Sequence, residues 1–304
     1  MSLSITNAFV EQYRNNITVL TQQRGSKLRD FVTVNNGVVG KTVFTEQIGS
    51  TEAKKRVSRH SDSPLVETPH KRRLYTMADY EWGDLIDKAD RVRMLIDPTS
   101  TYAQSAAFAM GRAMDDVLIT AMSGNATTED QGSQSSQALT LTVAKTVGPQ
   151  SSSTETGMNV EKLREAVQLM ATNNVPDDEE KFIVLSPIGV QQLLQQREIT
   201  SADFNTVRAL VNGEIDTFMG LRFIVSNRLP VPASNERDAF VFTRSGIELG
   251  IGQDVMGRIE ERPDKAFSTY VYYCMSLGAT RLEEEKVVKI TYAENDDTAV
   301  ANTL

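Results

Sequence analysis

The chain has 304 residues, 40% hydrophobic and 24% charged, with a formal net charge of −8. That balance suits one large or two intertwined domains with a sizeable core, and the negative total argues against wholesale wrapping of nucleic acid. The sequence holds one cysteine, Cys274, and two histidines, His60 and His70. An internal disulfide is therefore excluded, and imidazole-based metal or acid–base sites have little material. Neither histidine has a partner at ligand spacing, so both read as exposed polar residues and no metal or other cofactor is expected. Lacking an 18-residue apolar run and a basic, apolar leader, the chain reads as one made and assembled in the cytosol without a membrane partner.

Residues 4–23 place Phe9, Tyr13, Ile17 and Leu20 at helical spacing in otherwise polar surroundings. This predicts an amphipathic arm lying on another surface. Residues 31–82 read differently. Phe31 to Val34 and Val38 to Ile48 are rich in β-branched residues, punctuated by Asn35-Asn36-Gly37 and Gly49. A polar piece from Ser50 to Ser63 precedes another extended stretch, Pro64 to Tyr80. Between Ala53 and Arg73 seven basic residues (Lys54, Lys55, Arg56, Arg59, Lys71, Arg72, Arg73) stand against two acidic ones, Asp62 and Glu67. Two polar strands of this kind are marginal alone and need a neighbouring surface.

Leu85, Ala89 and Val92 predict a short helix over 83–97. A long helix follows from Thr101, with Thr101-x-x-Gln104 as a capping box and Gly124 as its stop. At 1.5 Å per residue it is a rod of roughly 33 Å. Its expected apolar stripe is Ala103, Ala107, Met110, Met114, Val117 and Ala121. Gly111 costs about 1 kcal/mol relative to alanine in a helix interior, which close approach by another backbone would explain. Asn125 to Gln137 reads as a loop.

After Gly157 helix and strand alternate. Val160 to Met170 is helical, and Phe182 to Leu185 is a buried strand. Ser186-Pro187 supplies the N-cap and first-turn proline of the next helix. Asp203 to Val211 reads as a helix, and Leu221 to Ser226 and Ala239 to Thr243 as strands. Thr269 to Leu277 and Val287 to Tyr292 are strands flanking an acidic tip, Glu283-Glu-Glu285. No fixed-period repeat occurs.

Motifs that look chemical do not hold. Asn36-Gly-Val-Val-Gly-Lys-Thr42 ends like a phosphate-binding loop, but the position where the pattern needs its first glycine is Asn35. It reads instead as a glycine-punctuated hairpin. Gly246 to Gly252 lacks dinucleotide spacing and reads as a turn or bulge. Asp177-Asp-Glu-Glu180 lacks calcium-loop spacing. No Gly-x-Ser-x-Gly elbow is present. The basic cluster has three readings: a phosphate-binding patch, a solvated loop, or a surface that pairs with acidic patches on another copy.

The order of parts resembles the major capsid proteins of tailed bacteriophages, with their Hong Kong 97-type fold. The resemblance rests on the leading arm, the charged extended segment, the long helix and the texture Leu210-Val-Asn-Gly-Glu-Ile-Asp-Thr-Phe-Met-Gly-Leu-Arg-Phe-Ile-Val-Ser-Asn-Arg-Leu-Pro230. Gly278-Ala-Thr-Arg281 and the valine-rich Val287-Val-Lys-Ile290 add to it. It implies an α+β chain: an N-terminal arm (1–30), an extended β-hairpin E-loop (31–82) and an α/β axial domain (158–254). A peripheral β-rich domain (83–157 and 255–304) would carry the spine helix, 101–123. It also implies self-assembly of pentamers and hexamers into an icosahedral head around double-stranded DNA, held without sequence-specific contacts. Scaffolding, portal and decoration proteins are possible partners, the virion is the final location, and no catalysis is implied. Lys54, Lys55, Arg56, Arg59, Lys71, Arg72 and Arg73 are then the inter-subunit contact candidates. The alternatives are an encapsulin-like nanocompartment shell or a cytosolic α/β enzyme built on 158–254, for which no convergent polar set is visible.

Overall fold

The computed structural model describes residues 22–56, 58–59, 62–87, 99–130, 132–148, 155–195 and 217–294. The expected arm helix over 4–23 and the helix at 203–211 lie outside these residues, apart from 22–23.

In chain order the strands before the long helix are β1 (Thr33–Asn36), β2 (Thr42–Ile48), β3 (His70–Thr76) and β4 (Ala78–Ile86). Helix α1 (Thr99–Ser123) is followed by β5 (Ala126–Asp130), β6 (Ser133–Gln137) and β7 (Thr142–Val143). Helix α2 (Val160–Thr172), β8 (Lys181–Leu185) and α3 (Pro187–Leu194) come next. The chain then forms β9 (Thr217–Phe218), β10 (Leu221–Val225), β11 (Glu236–Thr243), β12 (Ile247–Arg262), β13 (Ser268–Arg281) and β14 (Val287–Ala293). Three sheets result, in the orders β1-β12-β13-β4, β7-β14-β11-β8-β10-β9 and β2-β3-β5-β6. This mixture of helices and separate sheets is the expected α+β class.

The chain divides into two units. One comprises 1–26, 79–112 and 254–275; the other comprises 27–78, 113–253 and 276–304.

In the larger unit the six-stranded sheet holds the main core. Its central strands are apolar without alternation, the pattern of a sheet covered on both faces. Ile183, Leu185, Val241, Ile290 and Tyr292 pack with Leu163, Ala166 and Met170 of α2 and Leu193 of α3. Phe182 and Phe242 are also buried, with Phe31 5.1 Å from Phe182 between ring centroids. Both helices begin as their sequences dictate. Asn159 accepts from the Lys162 amide at 2.8 Å, and the Ser186 hydroxyl accepts from the Gly189 amide at 3.1 Å. Strand β14, grouped in the sequence reading with the peripheral strands, pairs antiparallel with β11 in this sheet.

In the smaller unit the first half of α1 receives the chain at 22–26. A Cβ on Gly111 would lie 2.4 Å from the Gly25 carbonyl carbon, so this helix position admits only glycine. Arg112 donates to the Gln22 side chain at 2.8 Å.

Several local expectations are corrected. Helix α1 starts at Thr99, so Thr101 and Gln104 lie inside its first turns rather than forming its cap. Its buried apolar side chains are Ala106, Met110, Met114, Leu118, Ile119 and Met122, so Met110 and Met114 are as expected and the other expected positions give way to neighbours one to three residues on. Residues 83–86 belong to strand β4, not a helix, and the rest of 83–97 lies outside the described residues apart from Asp87. Residues 126–137 are a hairpin of β5 and β6 rather than a loop, with Asp130 paired to Ser133. Strands β1 and β2 do not pair with each other: β1 runs parallel to β12, and β2 antiparallel to β3. Of the stretch read as a turn or bulge-bearing connection, Gly246 ends a 3-10 turn over Arg244–Gly246, while Ile247 to Gly252 already belong to the 16-residue strand β12.

Candidate inter-subunit surface

The extended segment is a ribbon. Its strands pair from Thr42 with Thr76 to Ile48 with His70, and the Gly49 amide donates to the Pro69 carbonyl at 2.9 Å. Beyond that bond the chain makes a long excursion. Every described residue from Ile48 to Arg72 is exposed, including Ile48 at 69% and Leu65 at 90%.

Six of the seven contact candidates lie exposed on the ribbon. Lys54 donates to the Leu65 carbonyl at 3.3 Å, across the excursion. Arg56 donates to the carbonyls of Ser58 and Arg59. Lys55, Arg59 and Lys71 are exposed. Arg72 pairs with Glu46 on the facing strand at 3.3 Å, with both side chains more than half exposed, a contact worth at most about 1 kcal/mol. Glu46, His70, Lys71, Arg72, Glu129 and Gly132 line a groove on this outer face.

Arg73 is the exception. Side chains alternate across a strand, so Arg73 and Tyr75 point opposite to Arg72 and face inward. Arg73 is 6% exposed and donates to the Leu282 carbonyl at 2.9 Å, to the Thr128 hydroxyl, and to Glu284 at 3.0 Å. Burial pulls its pKa down, and Glu284 opposes that shift. It is an internal residue of this subunit, not a contact candidate.

The inner face of the ribbon rests on two buried carboxylates. Glu248, 5% exposed, accepts from the Thr45 hydroxyl at 2.8 Å, the Tyr75 phenol at 3.0 Å and the Asn35 amide at 3.2 Å. Burial, and then the neighbouring Glu248, push the Tyr75 pKa up. Glu284, 6% exposed, accepts from Arg73 and, at 3.0 Å, from Arg281. Arg281 is fully buried and also donates to the carbonyls of Ala121, Met122, Gly124 and Gln137. The last turn of a helix leaves carbonyls without intrahelical partners, and a buried guanidinium fork supplies donors for them. Gln47 donates to the Leu282 carbonyl that Arg73 also uses.

The Tyr75 ring is admitted by two glycines. A Cβ at Gly250 would stand 2.3 Å from the phenol oxygen, and one at Gly278 would stand 3.0 Å from the ring. These glycines, in the stretches read as a turn and as Gly-Ala-Thr-Arg, are the sequence signal that could have located the seat. Glu248, Glu284, Gln47 and Tyr75 were not singled out by sequence reasoning. Of the acidic run at 177–180, Glu179 is engaged with Lys286 at 3.2 Å and the Ser245 hydroxyl at 2.6 Å, while its neighbours are exposed. Among the described residues no cluster of metal-ligating side chains occurs, and no helix is long and apolar enough to cross a membrane.

No curated protein matches the chain by sequence. Solved structures do match, at low identity. The capsid of Cyanophage P-SCSP1u superposes with a TM-score of 0.72 at 16% identity, covering 95% of this chain and 94% of that one. The head structure of Helicobacter pylori bacteriophage KHP40 gives 0.72 at 11% identity, covering 97% and 99%. The capsid of Ralstonia phage GP4 gives 0.70 at 10%, covering 95% and 96%. These likenesses establish the Hong Kong 97-type fold. The phage capsid protein family matches over residues 5–294, nearly the whole chain. A chain that meets a family along its length, with that fold and an uncovered ribbon, is a shell subunit: it belongs to the phage capsid protein family and serves as the major capsid protein of a phage head.

Proposed function

We propose that copies of this chain form pentamers and hexamers that close into an icosahedral head around double-stranded DNA. The observation that carries this reading is the ribbon, exposed at every described position from Ile48 to Arg72. A segment of that length with no cover from its own subunit acquires one from a neighbour, and rotational repetition of such a heterologous contact closes into rings. Lys54, Lys55, Arg56, Arg59, Lys71 and Arg72 give the ribbon its positive charge, while the whole chain carries −8. Opposite charges of this kind set orientation and suppress wrong contacts. DNA is enclosed rather than read, because an acidic subunit offers no general phosphate-binding surface. Residues 1–30 act as a second reaching segment, 31–82 as the E-loop, 83–157 and 255–304 apart from β14 as the peripheral part, and 158–254 together with β14 as the axial part. Assembly takes place in the host cytoplasm, with portal, scaffolding and decoration proteins as the further partners.

The test is assembly of purified protein followed by negative-stain microscopy and sedimentation. Wild-type chain is expected to give rings and shells of tens of nanometres. Reversing Lys54, Lys55, Arg56 and Arg59 to glutamate is expected to stop assembly while the circular dichroism spectrum stays unchanged. A small oligomer of fixed size under all salt and protein concentrations overturns the shell. Shells formed equally well by the reversed variant overturn the role of the basic residues.

A further inference from the structure

The inner face of the ribbon is polar where a packed joint would be apolar. Thr45 and Gln47 of β2, and Arg73 and Tyr75 of β3, all end on oxygen acceptors: the buried carboxylates Glu248 and Glu284 and the half-buried Leu282 carbonyl. Each carboxylate is shared. Glu248 takes donors from β1, β2 and β3, and Glu284 takes one from β3 and one from the guanidinium that caps α1.

Apolar contacts are non-directional, so strands resting on them slide at small cost. Hydrogen bonds weaken steeply with misalignment, and a buried carboxylate that loses its donors retains its full desolvation penalty. A ribbon held this way therefore has one preferred direction and resists intermediate ones. The leverage is large, because the excursion between Gly49 and Pro69 continues past the gripped ladder. A point about 20 Å beyond the joint, within reach of ten extended residues, shifts by about 3.5 Å for each 10° of tilt. That displacement breaks a close-packed contact between two copies.

We propose that Glu248 and Glu284 form a two-point polar joint that sets the direction in which each subunit presents its ribbon, and so act as positioning residues for shell closure. The inference rests on the ribbon's use between copies. The test uses Glu284→Gln and Glu248→Gln, which keep volume and one acceptor while removing the charge. Amide exchange in 42–48 and 70–76 is expected to rise roughly tenfold, with the six-stranded sheet unchanged. Assembled particles are expected to spread in diameter and include unclosed forms. Thr45→Val removes one donor and gives a milder form of the same result, which keeps the test decisive if a glutamate variant fails to fold. Uniform particles of wild-type diameter from these variants overturn the joint, as does exchange that rises equally throughout the chain. If wild-type chain itself never assembles, the shell reading falls, and ribbon-specific exchange still decides the joint.

Discussion

Arg281 carries more buried hydrogen bonds than its place in a strand end suggests. Its donors reach three carbonyls at the end of α1, the Gln137 carbonyl and Glu284. Arg281→Met is expected to destabilise the subunit by about 3–5 kcal/mol, the scale for leaving a buried partner charge uncompensated; urea unfolding measures it. Arg281→Lys retains the charge without the fork and is expected to recover only part of the loss. Residues of this kind are illegible in a sequence, because one arginine in 32 basic residues looks like the others until burial selects it. Alkaline pH tests a second set of residues. Burial raises Tyr75 and Tyr292, and a hydrogen bond to Glu81 raises Tyr272 to about 12. An unfolded tyrosine ionises near 10, so the unfolded chain releases these protons first. Stability from these groups is then complete below about pH 10 and falls as pH climbs toward the folded values. Unfolding midpoints at pH 8 and pH 11, with phenolate absorbance to count late-titrating tyrosines, check the direction.

At the scale of elements, the strongest local signals were legible and the tertiary ones were not. Ser186-Pro187 signals a helix start in the sequence and makes one in the structure; the hydroxyl also sits 2.7 Å from the Tyr292 phenol. Ser186→Ala is expected to cost about 1 kcal/mol or somewhat more, since the cap and a buried partner are lost together. Gly111 stands out in the sequence by its cost to the helix, and the Gly25–Ser26 backbone against it is the reason. Gly111→Ala improves helix propensity by about 1 kcal/mol, yet the clash is expected to reverse the sign and lower the melting temperature. The hairpin at 126–137 was missed because Ser133-Gln-Ser-Ser-Gln137 has no apolar alternation. Its partner strand is held instead by pairing with β3, where Thr128 faces Arg73. Residues 83–86 looked helical because Leu85, Ala89 and Val92 fall at helical spacing; pairing of β4 in the β1-β12-β13-β4 sheet overrides that period.

For the whole molecule, the order of parts proved more legible than any single site. The fold was legible through a family resemblance, carried by a charged extended segment before a long helix and by the texture of 210–230 and 278–290. The candidate surface was legible as a block of charge, but strand parity, which sends Arg73 inward and Arg72 outward, depends on a register that composition does not contain. Replacing 50–68 by a two-residue Asn-Gly turn is expected to leave the melting temperature within a few degrees, because every described residue of the excursion is exposed. The same deletion is expected to abolish particles in sedimentation.

The uncovered excursion also makes the subunit its own reporter of assembly. Lys54-Lys55-Arg56 lies in an exposed stretch without regular structure, the kind of backbone that a trypsin-like protease cleaves first. Dispersed chains are expected to be nicked there within minutes, giving two fragments that stay associated. Chains built into a closed particle are expected to be spared, and the fraction left intact then counts finished heads without a microscope.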